Sequence, residues 1–252
     1  EVLAGITDSA SVGLTVDVTD NDRAYSSEGV QFDLSKQLSF GSFEHKFDLG
    51  VRYHHDEVER NHQQRSYLMT SAQLVSDGIA RPAKVINYAE TDAISLYLQD
   101  EITKGDFTLS LGVRYEDIQG SVDNKQTGSL SSNNQSILAP GAGAHYQLTE
   151  NIGLLAGVYV GFSPAGPGKS SAEAEESLNF EYGIRYEANS YSAEIIGFFS
   201  DYDNLLGRCR ASDANCAVGE EFNGGHVEIG GVELNGNFEL SLTESISLNS
   251  QL

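Results

Sequence analysis

The sequence has no long hydrophobic run and few basic residues, and each shortage excludes a class of protein. No stretch of the 252 residues approaches the about 18 consecutive apolar residues of a membrane-spanning helix, so a helical membrane protein is excluded. Lys and Arg number 15 against 37 Asp and Glu, a formal net charge of −22. This balance argues against nucleic-acid binding, because phosphate backbones are held by basic clusters.

Other scarce residue types favour β-structure. Tryptophan is absent, and the chain has 1 Met and 4 Pro but 26 Gly and 12 Tyr, a composition that fits strands better than helices. The mean hydropathy of −0.30 does not exclude a transmembrane β-barrel, whose strands alternate lipid-facing and lumen-facing side chains. The N-terminus has neither a basic start nor an apolar run, so no secretory signal is visible and we expect a mature chain or a fragment.

Alternation of apolar and polar residues is the dominant pattern. Phe107, Leu109, Leu111, Val113 and Tyr115 share one face of a predicted strand, and the residues between them are small or polar. Such a period of two indicates a strand with one apolar and one polar face. The same pattern recurs along the chain, at residues 12–18, 30–40, 43–53, 94–102, 152–162, 180–186, 232–240 and 246–252.

The predicted connections are alternately short and long. Hairpin turns are predicted at residues 41–42, 104–105, 149–151, 188–190 and 243–245, and long loops at 56–91, 117–136, 163–177 and 203–226. Short turns at one end and long loops at the other are typical of an outer-membrane barrel. We therefore expect an all-β fold, an antiparallel transmembrane β-barrel. Roughly eleven strands of about ten residues are an odd set that cannot close, so residues 1–252 are expected to be part of a larger barrel domain.

Three groups of residues could carry chemistry. Cys209 and Cys216 lie in one predicted loop, and their spacing favours a disulfide. A cluster of imidazoles and carboxylates could bind a divalent metal or form a solvated rim, and we favour the rim: His54, His55, Asp56, Glu57, Glu59 and His62. No catalytic constellation is found, and neither a metal site nor a cofactor is expected.

Arginines in the predicted loops are the candidate ligand-binding residues. Arg binds carboxylates bidentately, so these positions suit an anionic ligand such as a metal-loaded carboxylate chelate. The alternative, that surface loops are simply polar, stays open. The candidates are Arg60, Arg65, Arg81, Arg208 and Arg210.

Three segments resemble the TonB-dependent outer-membrane receptors. Residues 161–164 read GFSP and residues 175–186 read EESLNFEYGIRY, while residues 222–234 read FNGGHVEIGGVEL. These resemble the receptor patterns GF-x-P, E-x-S-x-x-Y-E-x-G-x-R-Y, with Phe180 at the first tyrosine position, and N-x-G-x-x-x-x-x-G-x-E. The resemblance is strongest over residues 88–240, and its nearest type is the ferric-citrate receptors.

The resemblance implies a 22-stranded barrel, closed by a plug, in the bacterial outer membrane. Its expected ligand is a ferric chelate, either citrate or another siderophore, and its expected partners are the TonB complex, reached through the plug, and outer-membrane lipid. No plug or closing strands are recognisable, so the resemblance places the chain in the middle of such a barrel. The alternatives are a passive porin, an outer-membrane hydrolase barrel and a soluble β-rich adhesin.

Overall fold

A computed structural model describes residues 1–170, 172–210, 220–243 and 246–251. The elements within them are one short helix and thirteen strands, in the order α1 (Ser9–Val12), β1 (Val16–Phe40), β2 (Phe43–Thr70), β3 (Gln73–Ser76), β4 (Val85–Lys104), β5 (Phe107–Asn124), β6 (Ser129–Gln147), β7 (Ile152–Ser163), β8 (Glu175–Ala188), β9 (Tyr191–Asp203), β10 (Leu206–Arg208), β11 (Glu221–Asn223), β12 (Val227–Thr243) and β13 (Ile246–Gln251). None of the described helical residues forms a helix long or apolar enough to cross a membrane.

The strands form one antiparallel sheet with nearest-neighbour connections. Its order is β1-β2-β4-β5-β6-β7-β8-β9-β12-β13, with β3 paired to β2, while β10 and β11 form a separate hairpin. Among the described residues β1 and β13 do not pair, so the sheet is an open wall. The predicted all-β antiparallel fold and the partial barrel are confirmed.

Short turns lie at one end of the wall, as the sequence predicts. Tight turns follow β1 at Gly41 and β4 at Gly105, which have φ of 63° and 58°. Glycine adopts this left-handed conformation without a Cβ clash. The turn predicted at 243–245 includes two residues outside the described part of the chain. We call this end the turn end and the opposite end, which carries the longer connections, the loop end.

The two faces of the wall differ in polarity. The register pairs the even-numbered residues of β1 with the odd-numbered residues of β2, and the face that carries these side chains is called the outer face. The inner face carries the odd-numbered residues of β1 and the even-numbered residues of β2. Large apolar side chains on the outer face stay exposed, including Val30 at 69% and Phe32 at 62%. On β2 the apolar band of the outer face runs from Phe43 to Tyr53, eleven residues in all, which matches the length of a transmembrane strand.

The predicted loops 56–91 and 117–136 are wrong. The β1–β2 ladder continues without a break to Tyr67, β4 starts at Val85, and only four residues separate β5 from β6. The strands continue because backbone pairing does not require an apolar face. Beyond the band neither face is continuously apolar, and residues such as Ile118 and Ile137 stand among polar ones, so the alternation disappears while the ladder persists. For the same reason the long strands exceed the predicted ten residues, and β2 has 28.

After β6 the hydrogen-bonded sheet extends less far toward the loop end than before it, which leaves a step between β6 and β7. These strands pair only from Gly141↔Tyr159 to Gln147↔Gly153, although β6 begins twelve residues earlier, at Ser129. Pro140 comes directly before Gly141, the residue at which the β6–β7 ladder begins, and it has no backbone N–H to donate. Within sheets, proline is confined to strand edges. Beyond Pro140, β6 is therefore an edge strand on the side facing β7.

The described residues of the loop between β7 and β8, 164–170 and 172–174, fold across this step, and we call them the strap. Its Ala165 exchanges two hydrogen bonds with the Gln135 side chain, at 2.9 and 3.1 Å, and Gly168 donates to Asn133 at 2.8 Å. Side-chain amides thus replace the missing backbone ladder. Ala174 of the strap joins three residues of the wall in the main buried apolar cluster of the described residues: Ala93, Ile118 and Ile137.

Candidate functional site

Two arginines lie opposite each other on the inner face of the wall. Arg23 on β1 is paired in register with Arg60 on β2, and His62 lies two residues beyond Arg60 on the same face. Arg60 follows Tyr53 by seven residues, so it lies about 23 Å along the strand beyond the apolar band. The pair therefore faces the interior of the barrel near the loop end.

None of the hydrogen-bond partners of this arginine pair is a carboxylate. The Arg23 guanidinium donates to the side chains of Asn21 at 2.8 Å, Tyr25 at 3.2 Å and His62 at 3.3 Å. Arg60 donates to Asn87 on β4 at 3.2 Å. Because Nε of Arg23 donates to Nε2 of His62, that ring nitrogen acts as the acceptor.

An unpaired double positive charge makes this site suitable for an anion. Arg side chains stay protonated in proteins, and like charges directly opposite on neighbouring strands are destabilising. In the described part of the chain neither Arg23 nor Arg60 forms an ion pair with a carboxylate. A bound anion would relieve the repulsion and accept bidentate hydrogen bonds from both guanidinium groups.

The structure separates the five predicted arginines. Arg60 lies in the site, whereas Arg65 lies five residues further along β2 and on the outer face. Arg81 pairs with Asp77 of its own loop at 2.5 Å and holds that loop to β2 by donating to the Ser66 hydroxyl at 2.9 Å.

The remaining predicted residues lie around the β10–β11 hairpin. Arg208 is opposite Glu221 in that hairpin, and Arg210 borders residues 211–219, which the structure does not describe. Cys209 is buried, at 3% exposure. Cys216 lies outside the described residues, so the disulfide stays a prediction.

Arg23 was not among the residues predicted from the sequence. Residues 19–29 show no alternation of apolar and polar side chains, so no strand was predicted there. The signal is the parity of the strand that follows: counting back in twos from the polar residues Asp33 and Gln31 reaches Tyr25, Arg23 and Asn21 on the same face.

The cluster of imidazoles and carboxylates at residues 54–62, for which the sequence favours a solvated rim over a metal site, does not converge on one point. Strand alternation places His54, Asp56 and His62 on the inner face of β2, and His55, Glu57 and Glu59 on the outer face. The six residues therefore form two separate groups on opposite sides of the wall.

The outer group forms a continuous hydrogen-bond network just beyond the apolar band. The two ring nitrogens of His55 contact the carboxylates of Asp92, at 2.9 Å, and Glu57, at 3.0 Å. The hydroxyls of Tyr53 and Tyr88 donate to the same carboxylates. Hydrogen bonds to Glu57 and Asp92 raise the pKa of His55 to about 9, and the Glu57 carboxylate raises the pKa of Tyr88 to about 12.

We expect the His55 imidazole to titrate near pH 9. Because its pKa in the folded protein lies above the ordinary 6.5, the stabilisation from protonated His55 is complete below about pH 6.5 and is lost as pH rises through about 9. NMR of histidine-labelled receptor measures this midpoint. Replacing Glu57 by Gln together with Asp92 by Asn is expected to lower it, and an unchanged midpoint would show that these carboxylates do not hold the proton.

The wall, its two faces and its unequal ends define a class of protein, a segment of an outer-membrane β-barrel. The TonB dependent receptor-like β-barrel family model matches residues 4–250, so the chain belongs to this family and is a bacterial outer-membrane protein. The match is wider than the strong resemblance over residues 88–240 that the sequence indicates.

Known proteins support the fold. The chain is 28% identical over 174 residues to the metal-pseudopaline receptor CntO of Pseudomonas aeruginosa strain UCBPP-PA14, covering 62% of this chain and 25% of that protein. The unliganded ferric citrate transporter FecA matches 88% of this chain and 33% of its own, with a TM-score of 0.70 and 23% identity. The closed form of the ferric-catecholate import receptor Fiu of E. coli K12 matches 92% and 38%, with a TM-score of 0.66 and 17% identity. The chain spans about a quarter of the length of the curated relative.

Proposed function

We propose that residues 1–252 form part of the barrel wall of a receptor that imports an anionic ferric chelate, either ferric citrate or another siderophore complex. The observation that carries the proposal is the Arg23–Arg60 pair, whose two unpaired guanidinium groups face the barrel interior. Ferric citrate and many other iron chelates present carboxylates or other anionic oxygens, which the planar guanidinium binds in a bidentate manner.

The position of the pair suits capture from outside the cell. It lies on the inner face beyond the apolar band, where a ligand entering from the loop end meets it before reaching the membrane-spanning part of the wall. Neutral acceptors around the pair, Asn21, Tyr25 and Asn87, keep the guanidinium groups oriented without neutralising them. A preformed cationic site of this kind needs little reorganisation on binding.

Family membership supports a receptor over a passive porin or an outer-membrane hydrolase, since the family consists of transport receptors. The relatives in the comparison are named for metal-pseudopaline, ferric citrate and ferric catecholate. We propose that outer-membrane lipid surrounds the apolar band and that energy comes from the TonB complex, acting through a plug domain of the complete receptor.

Growth on single iron sources tests this function. A strain lacking the receptor gene is grown under iron limitation with ferric citrate or one of several other ferric chelates as the sole iron source. We expect loss of growth on at least one anionic chelate, with rescue by the full-length receptor. Unchanged growth on ferric citrate would refute the citrate assignment, and unchanged growth on every chelate would refute iron uptake.

A further inference from the structure

The strand β6 has an unpaired edge near the loop end. From Ser129 to Pro140 it pairs with β5 on one side, while its ladder with β7 begins only at Gly141. Alternate backbone N–H and C=O groups along this segment point away from β5. No backbone hydrogen bond from the described residues reaches residues 129–139 on that side.

The edge lacks the usual protection against strand addition. Residues 129–139 read SLSSNNQSILA and contain no charged residue, no proline and no glycine. Natural proteins generally shield an exposed edge with lysine, proline, a bulge or a covering loop, because an open edge pairs with other strands. The strap supplies part of a cover, but it contacts the Asn133 and Gln135 side chains on the inner face.

A cavity of about 530 Å³ lies against this edge, and we call it the edge cavity. Its lining includes side chains of both faces of β6: Ser132, Asn134 and Ser136 from the outer face and Asn133, Gln135 and Ile137 from the inner face. A space that contacts both faces of one strand lies beside the edge of that strand. An occupant of the edge cavity therefore meets the unpaired backbone of β6.

The opposite side of the edge cavity is acidic. Its lining there includes Ala172, Glu173 and Glu176, where the strap leads into β8. Asn223 of β11 holds the backbone of Glu173 through two hydrogen bonds of 2.9 and 3.1 Å, which fixes this side. Among the described residues the carboxylates of Glu173 and Glu176 have no ion pair, and no Lys, Arg or His lines the edge cavity.

We propose that the edge cavity binds an extended peptide with basic side chains, which adds to β6 as a further strand. Backbone hydrogen bonds to β6 would supply affinity, as in other cases of strand addition. Alternate side chains of the peptide would reach Glu173 and Glu176. The six lining residues of β6, 132–137, span about 20 Å, which accommodates a peptide of about six residues.

The probe is a fluorescent hexapeptide that alternates lysine and threonine, and the protein is the full-length receptor in detergent. We expect saturable binding, weakened about three- to tenfold by replacing Glu173 and Glu176 together with Gln, since each exposed ion pair contributes modestly. The matched control replaces Glu28 and Glu59 with Gln, which lie on the outer faces of β1 and β2, and is expected to leave binding unchanged. Glutamate in place of lysine in the peptide is expected to abolish binding.

A modified probe and a cysteine variant of the receptor locate the bound peptide. Methylation of every backbone nitrogen of the probe removes its N–H donors and is expected to reduce affinity at least about tenfold. Ser132→Cys is expected to form a disulfide with a cysteine at one end of the probe, whereas Ser26→Cys on β1 is not.

Several results would overturn the proposal. They are the absence of binding at millimolar peptide, equal binding of the lysine and glutamate probes, full binding of the methylated probe, and equal cross-linking at positions 26 and 132. The first of these is also the result expected if another segment of the full-length receptor fills the edge cavity. None of them bears on chelate uptake, which is measured separately.

Discussion

Replacing Arg23 and Arg60 together with glutamine is expected to weaken binding of an anionic ferric chelate by about 100-fold or more. Hydrogen bonds to charged groups contribute about 1.5–3 kcal/mol each, so loss of both guanidinium groups removes about 3–6 kcal/mol. About 1.4 kcal/mol corresponds to a tenfold change in affinity. Glutamine keeps hydrogen-bonding capacity and most of the side-chain length, so the loss reports on charge.

The measurement is the dissociation constant of the purified full-length receptor for the chelate identified by growth. Arg65→Gln is the matched control, because Arg65 lies on the same strand but on the outer face, and it is expected to change affinity less than about threefold. The double variant is also expected to fold at least as stably as the wild type without ligand, since it removes a like-charge pair. Equal affinities of the double variant and the Arg65→Gln control would contradict the assignment of the site.

The second large effect is expected at the lipid-facing surface. Leu34→Arg places a charge in the middle of the apolar band on β1, where it is expected to cost about 2–4 kcal/mol of folding free energy in a bilayer. Ser35→Arg, one residue away, places the same side chain on the inner face beside Asp48 and is expected to cost less than about 1 kcal/mol.

Denaturant titrations of the receptor folded into lipid vesicles measure both changes. Both variants introduce the same residue type at the same depth within the wall. The difference between their folding free energies therefore reports only on which face carries the arginine. Equal costs at positions 34 and 35 would mean that the outer face of β1 does not contact lipid.

Alternation along the strands made the architecture predictable. Each strand inside the apolar band carries its own signal, as in the run from Phe107 to Tyr115, because one face meets hydrocarbon and the other does not. Beyond the band this contrast is lost, which explains why the extensions of β2 past Tyr53 and of β5 past Tyr115 were assigned to loops. The alternation of hydropathy shows whether each face meets lipid or water, whereas the strand continues wherever its backbone pairs with a neighbouring strand.

The residue type that forms the candidate site was predictable from the sequence, but the particular residues were not. Arginine was the right residue type and Arg60 was among the candidates, yet its partner Arg23 is 37 positions away and is brought opposite by the register of the β1–β2 hairpin. The face of the strand also decides which arginine belongs to the site. Arg60 and Arg65 are the same residue type on the same strand, but they lie on opposite faces of the wall. Only the strand register, counted from the turn at Gly41, distinguishes them.

The step at Pro140 has a partial signal in the sequence. Proline inside a strand indicates an edge, but β6 itself continues on both sides of Pro140, and the place where its ladder with β7 ends also depends on the course of β7, which ends at Ser163. The length of β7 follows from where the strap begins, at Pro164. The edge therefore depends on two distant segments together and could not be predicted from either alone.

Accessibility along β1 tests the central claim, that this wall crosses a bilayer with one face toward lipid. A spin label is attached in turn to each of residues 30–40 of the full-length receptor in lipid vesicles, and its collisions with oxygen, which is concentrated in lipid, and with a water-soluble nickel chelate are measured. We predict alternation with a period of two: oxygen access is highest at even-numbered positions such as Phe32 and Leu34, and nickel access is highest at odd-numbered positions such as Gln31 and Asp33. Absence of alternation, or alternation of the opposite phase, would contradict the account.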